Sequence, residues 1–387
     1  MLTTSERRRA YKGPILFSHG FRIFFLLAGI WAALAMTLWV MFLATGTQIP
    51  SRMIGADWHM HEMVFGYSSV VIAGFLLTAV PNWTGRLPVL GWPVVALSGI
   101  WVAGRIAMFI SEWLPTLIAP LIDSVFLVVL AAVLAREIIA GKNWRNLKVL
   151  GVVALLAISN GIFHYEALNG SAFGGYGIRM GVGTIVFLII LIGGRVIPSF
   201  TRNWLARQGP GHLPTPINRF DTFAISISIA TLLTWVIVPE FIGVRILSAL
   251  AAVTHVARFA RWAGWRTMAE PLVAILHIGY AFVPLGFLLL ATGDSMQIPH
   301  AWMVGVIGVV TLAMMTRVSL GHSGRPLVST KSIAALYWAI VLAAILRISS
   351  AFLPDQTYLL YTSATLWIAA FAGFVIVYYP ILAKPRV

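Results

Sequence analysis

Long runs of apolar residues alternate along the chain with short polar segments. Most runs continue for about 20 residues, a length of helix that spans a bilayer, and they lack the apolar–polar alternation of barrel strands. The pattern predicts twelve membrane-spanning helices joined mostly by short connections. The predicted spans cover residues 22–45, 61–81, 90–111, 115–138, 147–167, 178–198, 219–238, 242–263, 271–292, 299–317, 332–353 and 358–381.

These spans predict an all-α polytopic membrane protein with a single transmembrane domain at residues 22–383. Residues 1–21 and 384–387 are predicted to be short terminal segments. The longest connection, 199–218, contains Gly-Pro-Gly and Pro-Thr-Pro, which stop any helix. We expect no separate soluble domain.

The composition narrows the class of protein further. Charged residues make up only 10% of the chain, whereas an average soluble domain carries about 25%. A soluble enzyme and a disordered or fibrous protein are therefore excluded. The sequence has no cysteine, so disulfides, iron–sulfur clusters and thiolate-bound metals are excluded as well.

The distribution of charge predicts the orientation of the spans. The net charge is +15, and 22 of the 27 basic residues fall on one face of the predicted topology. By the positive-inside rule, both termini are expected in the cytoplasm. Because the basic residues lie at helix ends, we expect no nucleic-acid partner. The run Arg7, Arg8 and Arg9 precedes a first apolar run too long for a cleavable signal peptide.

Spans two, six and ten resemble one another. A shift of 117 residues carries Gly66 onto Gly183, and a further shift of 122 carries Gly183 onto Gly305. One interpretation is three four-helix arcs related by a pseudo-threefold axis. The alternative is chance similarity among glycine-rich helices, and the sequence leaves both open.

Six histidines are candidate metal ligands, because neutral imidazole is the commonest protein ligand for copper, zinc and haem iron. Four lie at the predicted periplasmic ends of spans, and two lie inside spans: His59, His61, His164, His300, His255 and His277. Each interfacial histidine has an alternative role as an amphipathic anchor. Arg105, Asp123 and Arg347 also fall inside spans, where ionisable residues are costly and usually functional. Asp123 is the only carboxylate that the predicted boundaries place clearly within the membrane.

Three motifs identify a family. They are GFRIFFL at residues 20–26, WHMHEMVFG at 58–66 together with AGFLLTAVPNWTGR at 73–86, and RVSLGHSGRPL at 317–327. The chain resembles the NnrS family of bacterial membrane proteins over nearly its whole length. Ile23 stands where the first motif usually has proline. The resemblance implies a role in nitric oxide stress and denitrification, with haem and copper as cofactors.

A more distant similarity links His59, Met63 and Phe65 to a stretch of haem–copper oxidase and nitric oxide reductase catalytic subunits. Those subunits have twelve helices in three arcs, and helices two and ten ligate their low-spin haem. The likeness implies a shared haem position at spans two and ten. Spans six and seven carry no histidine, so the usual three-histidine copper site is not expected.

From these similarities we predict that His59 or His61, together with His300, ligates the iron of haem b. His164 is predicted to complete a nearby metal site, with copper as a second candidate metal, and His255 and His277 are a reserve pair. At least one of Arg105 and Arg347 is predicted to contact a haem propionate. The competing interpretations are an Arg–Asp pair with Asp123 and a contact from Arg347 to Asp355 or a lipid headgroup.

Two classes of function remain. The first is a haem-containing inner-membrane protein that binds or detoxifies nitric oxide, which would be nitric oxide reductase-like if it is an enzyme. The alternative is a twelve-helix transporter or a copper- or haem-handling protein. The scarcity of carboxylates within the predicted spans disfavours a transporter.

Overall fold

The computed structural model describes residues 11–53, 55–293 and 300–386, and these ranges contain helices and no strand. Twelve helices are long and apolar enough to cross a membrane, which confirms the predicted all-α class. They are α1 (Gly20–Thr45), α2 (Ala56–Thr84), α3 (Trp92–Phe109), α4 (Ile118–Ala140), α5 (Leu147–Leu168), α6 (Tyr176–Leu205), α7 (Arg219–Ile237), α8 (Ile242–Ala260), α9 (Pro271–Thr292), α10 (Ala301–His322), α11 (Lys331–Phe352) and α12 (Thr357–Ala383).

Some predicted boundaries are wrong by several residues. Helix α2 begins at Ala56 rather than at residue 61, and α6 extends to Leu205, past Pro198. A proline lacks only its own N–H donor, so a helix can continue beyond it where later donors still find carbonyl partners. In α2 the end comes instead at Gly85, whose φ of 68° is left-handed and whose N–H donates to the carbonyl of Pro81 at 3.0 Å.

Some predictions fall outside the described residues. These are the first ten residues of the predicted segment 1–21, with Arg7, Arg8 and Arg9, and the predicted start of span ten at residue 299. Residue 387 of the predicted tail also lies outside them.

The chain divides into two compact units. Unit 1 contains Met1–Gly181, Val318–Pro326 and Phe371–Val387, and unit 2 contains Val182–Arg317 and Leu327–Ala370. The threefold arrangement of four-helix arcs remains a prediction.

Helix α2 is the central element of unit 1, since 89% of the residues in its most hydrophobic stretch are buried. It packs closely against α1 because Gly74 leaves room for an aromatic ring. A Cβ at Gly74 would lie 2.7 Å from Phe25 Cδ1. About one turn before Phe25 in α1, Arg22 Nη1 donates to the carbonyl of Leu382 at 2.6 Å and so connects α1 to α12.

In unit 2 the most buried helices are α9 and α10. They approach closely at Gly279, where a Cβ would lie 2.7 Å from Val310 Cγ2. Their apolar side chains point in all directions around the axis, as expected for helices enclosed by other helices.

Helices α2 and α10 each contain a π-helical segment, at Glu62–Tyr67 and Ala301–Gly308. Each segment begins directly after a histidine, His61 in α2 and His300 in α10. The two sequence shifts that relate spans two, six and ten, applied in succession, carry His61 onto His300. The π-helical segments therefore start at matching positions in the two helices, which supports the equivalence of spans two and ten. Such π-helical turns occur frequently at functional sites.

Candidate metal centre

Helices α1 to α5 of unit 1 each contribute polar side chains to one buried cluster. We call it the α1–α5 cluster, and its members are Trp31, His61, Glu62, Arg105, Asp123, Asn160 and His164. The charged and imidazole side chains among them are at most 5% exposed. Ionisable groups inside a membrane protein are costly and mark functional sites by default.

Three members of the cluster form a group of metal-ligand type. One nitrogen of His61, one nitrogen of His164 and one carboxylate oxygen of Asp123 all lie within 4.8 Å of one another. Asp123 Oδ2 lies 3.2 Å from His61 Nε2 and 2.9 Å from His164 Nε2. Ligand atoms bound at about 2.0–2.2 Å to one ion are separated by roughly 3 Å. The separations therefore suit donors around a single ion.

His61 is placed between two carboxylates. Its Nδ1 lies 3.0 Å from Glu62 Oε1, and its Nε2 faces Asp123. A metal-ligating histidine commonly donates its second ring N–H to a carboxylate, which fixes the ring orientation and strengthens the ligand. Glu62 provides that partner for a metal on the Nε2 side.

The two carboxylates are themselves held by donors. Trp31 Nε1 donates to Glu62 Oε2 at 2.9 Å, and Asn160 Nδ2 donates to Asp123 Oδ2 at 2.7 Å. Arg105 donates to both, through Nη1 to Glu62 and through Nη2 to Asp123. The ligand group thus has an ordered surrounding layer of hydrogen bonds, which a buried polar network requires.

The local sequence explains how these side chains meet. On α5, Asn160 and His164 are four residues apart and so share one face of the helix. On α2, Gly66 leaves the space that the arginine needs, because a Cβ there would lie 2.6 Å from Arg105 Nη1. On α3, Gly104 lets the helix approach α4, since its Cβ would lie 3.2 Å from Asp123 Cα.

The electrostatics of the cluster also favour a cation. Glu62 and Asp123 bring two negative charges, and Arg105 brings one positive charge. With both imidazoles neutral, the cluster carries a formal charge of −1 in a buried site. A formal charge of −1 attracts a cation to the site and repels an anion.

His164 retains one unused ring atom. Its Nε2 donates to Asp123, while its Nδ1 is buried and has no hydrogen-bond partner among the described residues. If Nε2 of His164 coordinated a metal ion, the ring proton would reside on Nδ1. The structure therefore joins His61 and His164, two of the predicted ligands, in one site.

The other predicted ligand on α2 lies elsewhere. The ring of His59 stacks on Trp39 at a centroid distance of 4.6 Å and an interplanar angle of 13°. On an ideal helix, residues two apart point about 200° apart. The two imidazoles therefore have different neighbours, and their service to different metal partners stays a prediction.

His300 and Arg347 meet in unit 2. Arg347 Nη2 donates to His300 Nε2 at 2.9 Å, and its Nη1 donates to Ser350 Oγ at 3.1 Å. No ion pair joins Arg347 to Asp355 within the described ranges. The predicted pairing of His300 with His59 or His61 stays a prediction.

His255 and His277 occupy separate hydrogen-bonded positions in unit 2. His255 Nε2 lies 2.7 Å from Ser228 Oγ, and its Nδ1 lies 2.9 Å from Tyr280 Oη. His277 Nε2 lies 2.7 Å from Thr201 Oγ1. The structure does not bring this reserve pair together at one group of metal-ligand type.

The statement that Asp123 is the only intramembrane carboxylate is wrong. Because α2 begins before residue 61, Glu62 lies inside the helix and is fully buried. Arg105 is therefore balanced by two protein carboxylates and does not require a propionate. The run of histidine and glutamate at residues 61–62 was the available signal, but its depth depended on the helix boundary.

The fold and the α1–α5 cluster define a polytopic α-helical membrane protein with a buried group of metal-ligand type. The sequence matches the profile of the NnrS protein family over residues 15–386. The chain therefore belongs to the NnrS family, as its motifs indicated, and is a membrane protein related to nitric oxide stress. A comparison with curated proteins finds no match.

Proposed function

We propose that this protein is a metalloprotein that binds or detoxifies nitric oxide in the bacterial inner membrane. The observation that carries the proposal is the buried group of His61, Asp123 and His164, whose ligand atoms lie within 4.8 Å of one another. Family membership supplies the link to nitric oxide stress. A role in denitrification follows from the same link. Nitric oxide is small and apolar, so it reaches a site inside the bilayer through the lipid.

The α1–α5 cluster fits a single ion better than it fits haem b. A porphyrin supplies four nitrogen ligands in a plane and leaves only two axial positions to the protein. Asp123 Oδ2 lies between the two imidazoles, 3.2 Å from His61 Nε2 and 2.9 Å from His164 Nε2, where the porphyrin would have to pass. Haem b, if bound, belongs with His59 or His300, and copper remains a candidate for the single ion.

The proposed orientation places both termini in the cytoplasm. It rests on the excess of basic residues at one face of the twelve helices. The α1–α5 cluster then lies in the periplasmic half of the membrane, near the start of α2. The lipid bilayer is the surrounding medium, and nitric oxide is the proposed small-molecule ligand.

A transporter is the second candidate. The observation that favours it is a larger number of buried carboxylates than the sequence predicts. Glu62, Asp123 and Asp221 are all buried in the helices. Intramembrane carboxylates paired with arginine or histidine are typical of ion and proton pathways. Asp221 accepts from Arg258 Nε at 2.9 Å in a second buried pair.

A complementation experiment tests the proposed function. A strain that lacks this chain would receive the wild type, His164→Gln, Asp123→Asn or His212→Ala, and growth would be followed during exposure to nitric oxide. His212 is an exposed residue of the α6–α7 connection and provides the control. We expect protection by the wild type and His212→Ala only. Equal protection by Asp123→Asn at equal membrane abundance would contradict the proposal.

The transporter alternative has a separate readout. Proteoliposomes with the purified wild type would be loaded with a pH-sensitive dye and given a metal-ion or proton gradient. A metalloprotein that binds nitric oxide moves no ions, so no flux is expected. Flux that His164→Gln abolishes would support the transporter and contradict the proposed function.

A further inference from the structure

The donors around the proposed metal ion are two imidazoles and one carboxylate. His61, Asp123 and His164 come from three different helices, α2, α4 and α5. Two histidines and one carboxylate on one side of an ion are the ligand set of non-haem ferrous sites, which keep open positions for exogenous ligands. No thiolate competes, because the sequence has no cysteine.

We propose that the α1–α5 cluster binds a single non-haem ferrous ion and that nitric oxide ligates this iron directly. The inference rests on the proposed function and names the metal and the site of ligand binding. Imidazole and carboxylate donors suit iron, whereas soft thiolate and thioether ligands select copper(I).

The outer contacts of the ligand group are made by other members of the α1–α5 cluster. Glu62 occupies the far nitrogen of His61, and Arg105 occupies Asp123 Oδ1. The remaining polar neighbour is Asn160, whose Oδ1 lies 3.2 Å from His61 Nε2. Three protein ligands leave at least one coordination position open. Asn160 adjoins that position and serves as a positioning residue for whatever enters it.

The walls of the site suit an uncharged ligand. The rings of Phe65 and Phe163 each lie 5.6 Å from the ring of His61, between centroids. A ferrous ion added to the formal charge of −1 gives a net charge of +1. Nitric oxide is neutral, so it enters without the desolvation cost of a buried charged ligand.

The experiment is metal analysis followed by electron paramagnetic resonance on protein purified without oxygen. We expect non-haem iron in equimolar amount with the chain and a high-spin ferrous–nitrosyl signal after nitric oxide is added. Asp123→Asn and His164→Gln are expected to lose both the iron and the signal. His212→Ala, whose residue lies far along the chain in an exposed connection, should keep them.

The Asn160→Ala variant separates positioning from folding. It retains all three proposed ligands, so we expect it to keep iron and to show an altered or weakened nitrosyl signal. If His164→Gln fails to fold, chelation of the wild type and reloading with ferrous or zinc ions answers the same question. Restoration of the signal by ferrous ions alone is expected.

Failure of this inference is distinguishable from failure of the proposed function. Equimolar zinc or copper that Asp123→Asn removes would uphold the metal centre and overturn the assignment of iron. A nitrosyl signal that arises only from haem would also overturn it. A metal content unchanged by Asp123→Asn and His164→Gln would overturn both the centre and the iron.

Discussion

His164 Nε2 lies 2.9 Å from Asp123 Oδ2, and this contact links helix α5 to helix α4 inside the membrane. Both side chains are buried, at 3% exposure each. In water such a pair contributes little, but inside a low-dielectric core each partner strongly depends on the other.

Replacement of Gly66 by alanine should disturb the centre without touching a ligand. Its Cβ would lie 2.6 Å from both Arg105 Nη1 and Glu62 Oε2. Overpacking of this kind costs about 1–3 kcal/mol. We expect a lower midpoint of thermal unfolding in detergent and a lower metal content.

Gly161 on α5 is the matched control for Gly66. An added Cβ there meets nothing within 4 Å. Gly161→Ala should therefore leave the metal content unchanged and slightly stabilise the helix, by up to about 1 kcal/mol. Equal loss of metal in both variants would contradict the described packing around Arg105.

Removal of Arg105 should destabilise the protein through its two carboxylate partners. Arg105→Gln leaves Glu62 and Asp123 buried and uncompensated, and breaking a buried ion pair costs about 3–5 kcal/mol. The double variant Glu62→Gln/Arg105→Gln removes one charge of each sign. We expect the midpoint of thermal unfolding to be higher in the double variant than in Arg105→Gln, although still below that of the wild type.

Additive losses in that double variant would show that Arg105 and Glu62 are not coupled. Undiminished haem in Arg105→Gln is also expected, because the guanidinium is already occupied by protein carboxylates. Loss of haem there would restore the propionate role that the sequence suggested.

His255 should prove to be a structural residue of unit 2. Its two ring nitrogens contact Ser228 and Tyr280, and Tyr280 Oη also accepts from Arg258 Nη1 at 2.8 Å. His255→Ala removes one hydrogen bond from each of these two buried hydroxyl groups, at about 0.5–1.5 kcal/mol each. We expect a lower unfolding midpoint with an unchanged metal content. Loss of metal in this variant would move the centre to unit 2.

The proposed orientation predicts the behaviour of reporter fusions. A fluorescent protein fused after Arg386 should fold and emit in the cytoplasm, and alkaline phosphatase inserted after Glu240 should be active outside it. The reason is the concentration of basic residues on one face. Active phosphatase at the C-terminus, with none at residue 240, would reverse the topology.

Much of the fold follows from the sequence alone. Apolar runs of membrane length predicted twelve helices, and the structure contains twelve such helices among the described residues. Helix ends were less predictable. Pro81 and Pro198 suggested ends at positions where the helices continue, because the backbone can extend past a proline near the final turns.

The site was predictable only in part. His61 and His164 are predictable ligands, because imidazoles near one predicted depth suggest shared metal binding. Glu62 was missed, since a one-turn error in the start of α2 placed it at the membrane edge. Asn160 gave no signal at all, because an amide inside an apolar run reveals its role only when α5 is packed against α2 and α4.

The most direct test of the metal centre is the metal content of the purified chain, measured for the wild type and Asp123→Asn under identical conditions. Asp123 Oδ2 contacts both imidazoles, and its conversion to an amide removes the negative ligand while retaining the shape. We predict one transition-metal ion per wild-type chain and its loss in Asp123→Asn. An equal metal content in the two proteins, or none in either, would contradict the account.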